Sequence, residues 1–132
     1  MRFPAAETII DLHNEILAKT GGTPGVLSRS SVDSAVERAE WGPFVSPPDL
    51  FDRAALLLRG LCQDHPFADG NKRTAYEATD LFLSLNGRQV LASPIEVVAF
   101  MLAVAQADVS IDGIAEWLRG HAKGYPEAEG MG

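Results

Sequence analysis

The chain has 132 residues, 46% hydrophobic and 22% charged, a size for one domain with one core and a composition that excludes a disordered or fibrous protein. Its formal net charge of -7 and isoelectric point near 4.8 argue against the broad basic surface that direct nucleic-acid binding requires. A lone cysteine, Cys62, excludes an internal disulfide; with no signal-like segment after Met1 and no apolar run longer than residues 97–105, a reducing cytoplasm and no membrane span are expected.

Apolar residues recur with helical period along almost the whole length, which predicts an all-α bundle of six helices. The first covers about residues 4–20, with Ile9, Leu12, His13, Ile16 and Leu17 on one stripe and Gly21-Gly22 as its stop. A short second helix covers about 31–40. The third starts from Ser46-Pro47-Pro48-Asp49, read as a hydroxyl cap, prolines in the first turn and a carboxylate at the positive end, and its stripe is Leu50, Ala54, Leu57, Leu58, Leu61 and Cys62. The fourth begins near Gly70 and closes at Asn86-Gly87. The fifth opens with the capping box Ser93-Pro94-Ile95-Glu96 and is apolar on all sides from 97 to 105, so it is expected to be the buried centre of the bundle. The sixth covers about 110–123, ahead of a polar tail at about 124–132 that is expected to be flexible. Residues 88–92 have room for two or three extended residues, but no run alternates long enough to predict a sheet.

Between the third and fourth helices lies His65-Pro66-Phe67-Ala68-Asp69-Gly70-Asn71-Lys72-Arg73-Thr74. Proline disfavours helical geometry in the residue before it, so His65 should sit at a helix end with its imidazole pointing out of the bundle. Phe67 is the natural apolar anchor of the loop. Lys72 and Arg73 fall in the first turn of the next helix, where each exposed cation opposes the helix dipole at a cost of roughly 0.3–1 kcal/mol. A bound anion reverses that sign, and Gly70, Asn71, Lys72 and Arg73 together are suited to cradle phosphate groups. Asp69 supplies a carboxylate where Mg²⁺ could bridge to the phosphates, and His65 is suited to accept a proton from an attacking hydroxyl near neutral pH.

The stretch from His65 to Arg73 resembles the signature of the Fic/Doc family, in the Doc (death-on-curing) form with a lysine between the asparagine and the arginine. Leu12-His13 followed by Gly21-Gly22 and Pro24-Gly25, and Leu81-Phe82-Leu83 leading to Asn86-Gly87, extend the likeness over most of the chain. AMP-transferring Fic enzymes usually carry glycine at the place of Lys72 and a second arginine at the place of Tyr76; both departures favour Doc. The resemblance implies a toxin that transfers the γ-phosphate of ATP to a hydroxyl of a target protein, in the family a threonine of elongation factor Tu, halting translation. It implies His65 as base, Asp69 as Mg²⁺ ligand, Asn71, Lys72 and Arg73 on the phosphates, and a Phd-type antitoxin as partner. No internal inhibitory pattern occurs, so an inhibitor must come from another chain. Transfer of AMP by the same fold, and a non-catalytic antitoxin-binding domain, are the alternatives.

Plainer readings stand beside these. Asp69 could be only an N-cap, and Lys72 and Arg73 an ordinary solvated pair. His13 is most simply a hydrogen-bonded core residue, His121 exposed, and Cys62 inert packing. Trp41 and Trp117 are expected to bury their rings, although Trp41 lies in a Gly/Pro-rich stretch able to flap over a target peptide.

Overall fold

In a computed structural model, which describes residues 1–124, the elements follow as α1 (Ala6–Thr20), α2 (Arg29–Trp41), α3 (Leu50–Gln63), α4 (Asn71–Leu85), β1 (Arg88–Val90), α5 (Pro94–Ala105), α6 (Ile111–His121) and β2 (Ala122–Gly124). The all-α, six-helix reading is met; the tail from 125 onward lies outside the described residues. Side-chain caps set several starts. Ser28 accepts from the Ser31 N–H at α2, Ser110 from the Gly113 N–H at α6, and Ser93 and Glu96 close the expected capping box at α5. At α3 the cap is Asp49 in a capping box with Asp52, not Ser46. Two prolines between Ser46 and the helix keep the serine a turn too early to reach the first free N–H groups.

The central helix is α3, which touches α2, α4, α5 and α6. Its Leu57, Leu58 and Leu61 are fully buried, each contributing about 1.5–3 kcal/mol relative to an exposed side chain. Alanines let the neighbours come close: a Cβ added at Gly60 would stand 3.0 Å from Ala35 Cβ, so α2 and α3 meet nearly backbone to backbone. Ala75, Ala78, Phe82 and Leu83 of α4 and Ile114, Ala115 and Leu118 of α6 complete the core.

The expectation that the fifth helix is the buried centre is overturned. Only Phe100, Met101 and Val104 of α5 are buried, while Ile95 is 82% and Val98 60% exposed. Apolar residues on every side of a helix report burial only when something covers every side. Here one face covers the core and the other walls a cleft.

The expectation of no sheet also fails in a small way. β1 pairs with β2 in antiparallel register, Arg88 opposite Gly124 and Val90 opposite Ala122, tying the end of α6 to the turn after α4. Neither three-residue strand carries an alternating pattern, and their pairing is distant in sequence. Trp117 is half-buried, stacked on Phe100 at 3.9 Å, but Trp41 is 77% exposed, against expectation. It stands at the last position of α2. No helix among the described residues is long and apolar enough to cross a membrane.

Candidate active site

Proline at 66 stops α3. Asp64 closes the helix with its N–H on the Gly60 carbonyl at 3.1 Å, and His65 turns into the left-handed region at φ 47°, a conformation that costs a non-glycine residue about 1–2 kcal/mol. What holds it is the bonding behind it. The Leu27 and Ser28 N–H groups both donate to the Pro66 carbonyl, at 2.8 and 3.1 Å, the Ala68 N–H donates to Gly25 O at 3.1 Å, and Val26 bridges Phe67. Pro66 and Phe67 are buried and His65 is exposed. The imidazole is thus presented outward, as its place before a proline predicts.

Phe67 is 1% exposed and anchors the loop, its ring stacked on His13 with centroids 3.9 Å apart and planes 9° apart. Asn71 does something the sequence did not disclose. Its Oδ1 accepts from the Phe67 N–H at 3.0 Å and its Nδ2 donates to the Phe67 carbonyl at 2.9 Å, so the amide clamps the loop and keeps one N–H for a ligand. Backbone is the partner, and backbone leaves no residue signal to read.

Asp69 is not the N-cap of α4; that position is Gly70, at φ 76°. The carboxylate instead accepts from its neighbour Gly70 N–H at 2.8 Å through Oδ1 and from Thr23 N–H at 3.2 Å through Oδ2. Gly22 permits the second contact, since a Cβ there would stand 2.8 Å from Oδ2. Each oxygen keeps lone-pair capacity beyond its one bond, and the residue is exposed.

At α4 no side chain caps the backbone, and the first helical bond runs from Thr74 N–H to Gly70 O at 2.9 Å. The N–H groups ahead of it are the free donors of a helix start. Lys72 and Arg73 are exposed there. Arg73 gives its Nε to Glu77 at 3.1 Å, which leaves both Nη atoms for another anion, and Lys72 has no ion pair among the described residues.

These residues share one cleft of about 740 Å³. His65, Asp69, Gly70, Asn71, Lys72 and Arg73 form one side, Val97, Val98, Met101, Leu102 and Ala105 of α5 the other, with Tyr76 and Glu77 between them. Polar donors on one wall and an apolar face on the other suit a ligand that is anionic at one end and apolar or aromatic along its flank. The Tyr76 hydroxyl is pushed up to about 12, first by burial and then by the charges of Asp80 and Glu77, so at neutral pH it is a phenol able to donate. A shallower polar depression of about 480 Å³ beside Trp41 and the Arg38–Asp64 pair contains none of the motif residues.

His13 is a buried, hydrogen-bonded histidine, as read, but its partner is the loop itself: Nε2 lies 2.8 Å from the Asp69 carbonyl. A carbonyl only accepts, so Nε2 carries a proton, while Nδ1 meets no partner among the described residues. An unmet buried acceptor costs about 1–3 kcal/mol, against about 0.5–1.5 kcal/mol gained from the bond. Cys62 is buried, and burial pushes its thiol up although Lys72 pulls the other way; it is packing, as expected. His121 is half-buried rather than exposed, between the Trp117 carbonyl at 2.7 Å and Glu96 at 3.1 Å.

A sequence model described as the Fic/DOC family matches residues 3–83, which holds α1 to α3, the loop and most of α4 but stops short of α5. The chain is similar to "Protein kinase doc" of Escherichia phage P1, 32% identical over 120 residues that cover 90% of this chain and 94% of that protein. It is also similar to "Toxin Doc" of Mycolicibacterium smegmatis, 39% identical over 107 residues, 77% of this chain and 82% of the relative. With the family pattern matched over α1 to α4 and relatives aligned along most of its length, the chain belongs to the Fic/DOC family.

Proposed function

We propose that the chain is the toxin of a toxin–antitoxin pair, a kinase that transfers the γ-phosphate of ATP to a serine or threonine hydroxyl of a target protein, with elongation factor Tu as target and arrested translation as outcome. The observation that carries the reading is the gathering of His65, Asp69, Asn71, Lys72 and Arg73 around one cleft at the uncapped start of α4. A relative named a protein kinase and another named a toxin support it.

In this mechanism the His65 imidazole takes the proton of the target hydroxyl while its oxygen bonds to the γ-phosphorus. The bond from that phosphorus to the bridging oxygen breaks, and ADP leaves with the electron pair. The N–H groups at the start of α4, the Lys72 ammonium and the Arg73 Nη atoms spread over the phosphate oxygens, where an anion turns the unfavourable placement of two cations into a favourable one. Asp69 fits Mg²⁺ because both its oxygens are held by backbone amides with lone pairs left over; the ion, when bound, would neutralise and orient the phosphates. Lys72 and Tyr76, where AMP-transferring members carry glycine and arginine, favour transfer from the γ position.

The apolar outer face of α5 offers a groove to an amphipathic helix of a Phd-type antitoxin. ATP labelled separately at the α and γ phosphates, with elongation factor Tu and Mg²⁺, tests the chemistry. Label is expected from the γ position only. Label from the α position would make the chain a nucleotidyltransferase, and equal growth arrest by wild type and His65→Ala would make it a non-catalytic binding domain.

A further inference from the structure

His13 is the one histidine with no exposure, and it sits on α1, more than fifty positions before the loop it contacts. Four observations converge on it. Its ring lies flat against Phe67 at 3.9 Å. Its Nε2 donates to the Asp69 carbonyl at 2.8 Å. A Cβ added at Gly70 would meet the ring at van der Waals distance, 3.8 Å, so the ring lies beside Gly70. Its Nδ1 is buried with no partner among the described residues.

The last observation decides what the residue is for. A leucine or phenylalanine would fill the same space on the apolar stripe with no orphaned nitrogen, so stability is a poor reason for an imidazole here. What an apolar side chain cannot do is hold the Asp69 carbonyl. That carbonyl is the hinge between Phe67, which is fixed in the core, and the Asp69 carboxylate and Gly70, which face the cleft. Among the described residues, other bonds reach this stretch from the loop after α1 and from Asn71, but they engage the backbone of 66, 67 and 68 and the carboxylate of Asp69. The backbone oxygen of Asp69 is held by His13.

We infer that His13 is a positioning residue for the proposed metal–nucleotide site: its Nε2–H sets the peptide of Asp69, and through it the direction of the carboxylate and the start of α4. The inference rests on the reading of the cleft as a metal–nucleotide site. Its requirement is a donor at the place of Nε2, with the rest of the ring serving as filler. Glutamine can bring an N–H to nearly the same point, and leucine fills the volume without one.

The experiment compares wild type with His13→Leu and His13→Gln in the whole chain. Binding of Mn²⁺ in the presence of ATP is followed by the loss of the free-ion electron paramagnetic resonance signal, and folding by the thermal midpoint. His13→Leu is expected to fold with a midpoint at or above that of wild type and to bind Mn²⁺–ATP at least tenfold more weakly, and His13→Gln to recover most of that loss. The γ-phosphate transfer rate follows the same order, with the larger change in KM for the metal–nucleotide. A His13→Leu chain that binds as wild type does, a His13→Gln chain as weak as His13→Leu, or a His13→Leu chain that fails to fold would each overturn the inference. Wild type that binds no Mn²⁺–ATP would remove the site reading itself and this inference with it, whereas normal wild-type binding with an unaffected leucine variant removes the inference alone.

Discussion

Asp69 joins an observed local role to a proposed chemical one. Its carboxylate ties the loop after α1 to the start of α4 through the Thr23 and Gly70 N–H groups, while the lone pairs these bonds leave unused are the ones the proposed ion would take. The two roles separate on substitution. Asp69→Asn keeps one acceptor oxygen and loses at most one of the two bonds, a change of about 1 kcal/mol in stability. It removes the charge a Mg²⁺ ion would need, so transfer activity should fall by roughly a hundredfold or more. Denaturant unfolding and the Mg²⁺ dependence of transfer, measured on the same preparation, check both halves; a variant with unchanged Mg²⁺ dependence would return Asp69 to a purely structural role. His65 was legible because the proline that follows it disfavours helix and so marks the end of α3. The amide of Asn71 and the imidazole of His13 were only partly legible, because each spends itself on a backbone group of the loop, and no residue type marks a backbone partner.

Among the elements, caps carried most of what could be read. The Ser93 and Glu96 box stands where expected, since a cap is a contact within four residues. The β1 and β2 pair escaped because its partners are 32 to 36 positions apart by register and three residues are too few for alternation. That pair gives a pH signature. Asp80 on α4 accepts from the Val90 N–H at 3.3 Å, and its carboxyl is raised above the ordinary aspartate value, chiefly by burial, with Glu77 adding and the Val90 bond opposing. A raised carboxyl means that the folded state holds its proton more tightly than the unfolded chain does. Its stability contribution is therefore complete below the unfolded value of about 3.9 and is lost as pH rises through the folded one. Asp80→Asn keeps the acceptor and drops the charge. At neutral pH it should melt at the same temperature as wild type or higher, with the gap closing on acidification toward pH 4. Thermal melts across that range are the check, and a variant that is less stable at neutral pH by a margin independent of pH would contradict it.

For the molecule as a whole, the decisive arrangement is a central α3 that stops just before His65, with α4 restarting the chain at the proposed phosphate cradle and α5 closing the cleft from the far side. Hydrophobic pattern alone placed α5 in the core, because an apolar face over a cleft and an apolar face over a core are the same pattern. The fold class and the motif side of the cleft could be read; the opposite wall could not. Val98 in that wall is 60% exposed, so it can be altered without unfolding the chain. Val98→Glu should change stability by no more than about 0.5 kcal/mol, yet weaken binding of a cognate antitoxin at least tenfold, because a charge would face an apolar helix. Titration calorimetry with the antitoxin, beside a thermal melt, reads both; undiminished affinity would place the antitoxin elsewhere.

The central claim is that the cleft moves a phosphoryl group from ATP onto a protein hydroxyl with His65 as base. Its most direct test is intact-mass and peptide mass spectrometry of elongation factor Tu after incubation with ATP and Mg²⁺, using wild type and His65→Ala in parallel. The account predicts one added phosphoryl mass on a threonine with wild type, and a rate lower by about 10²–10⁴-fold with the variant. An added adenylyl mass, or equal modification by His65→Ala, would contradict it.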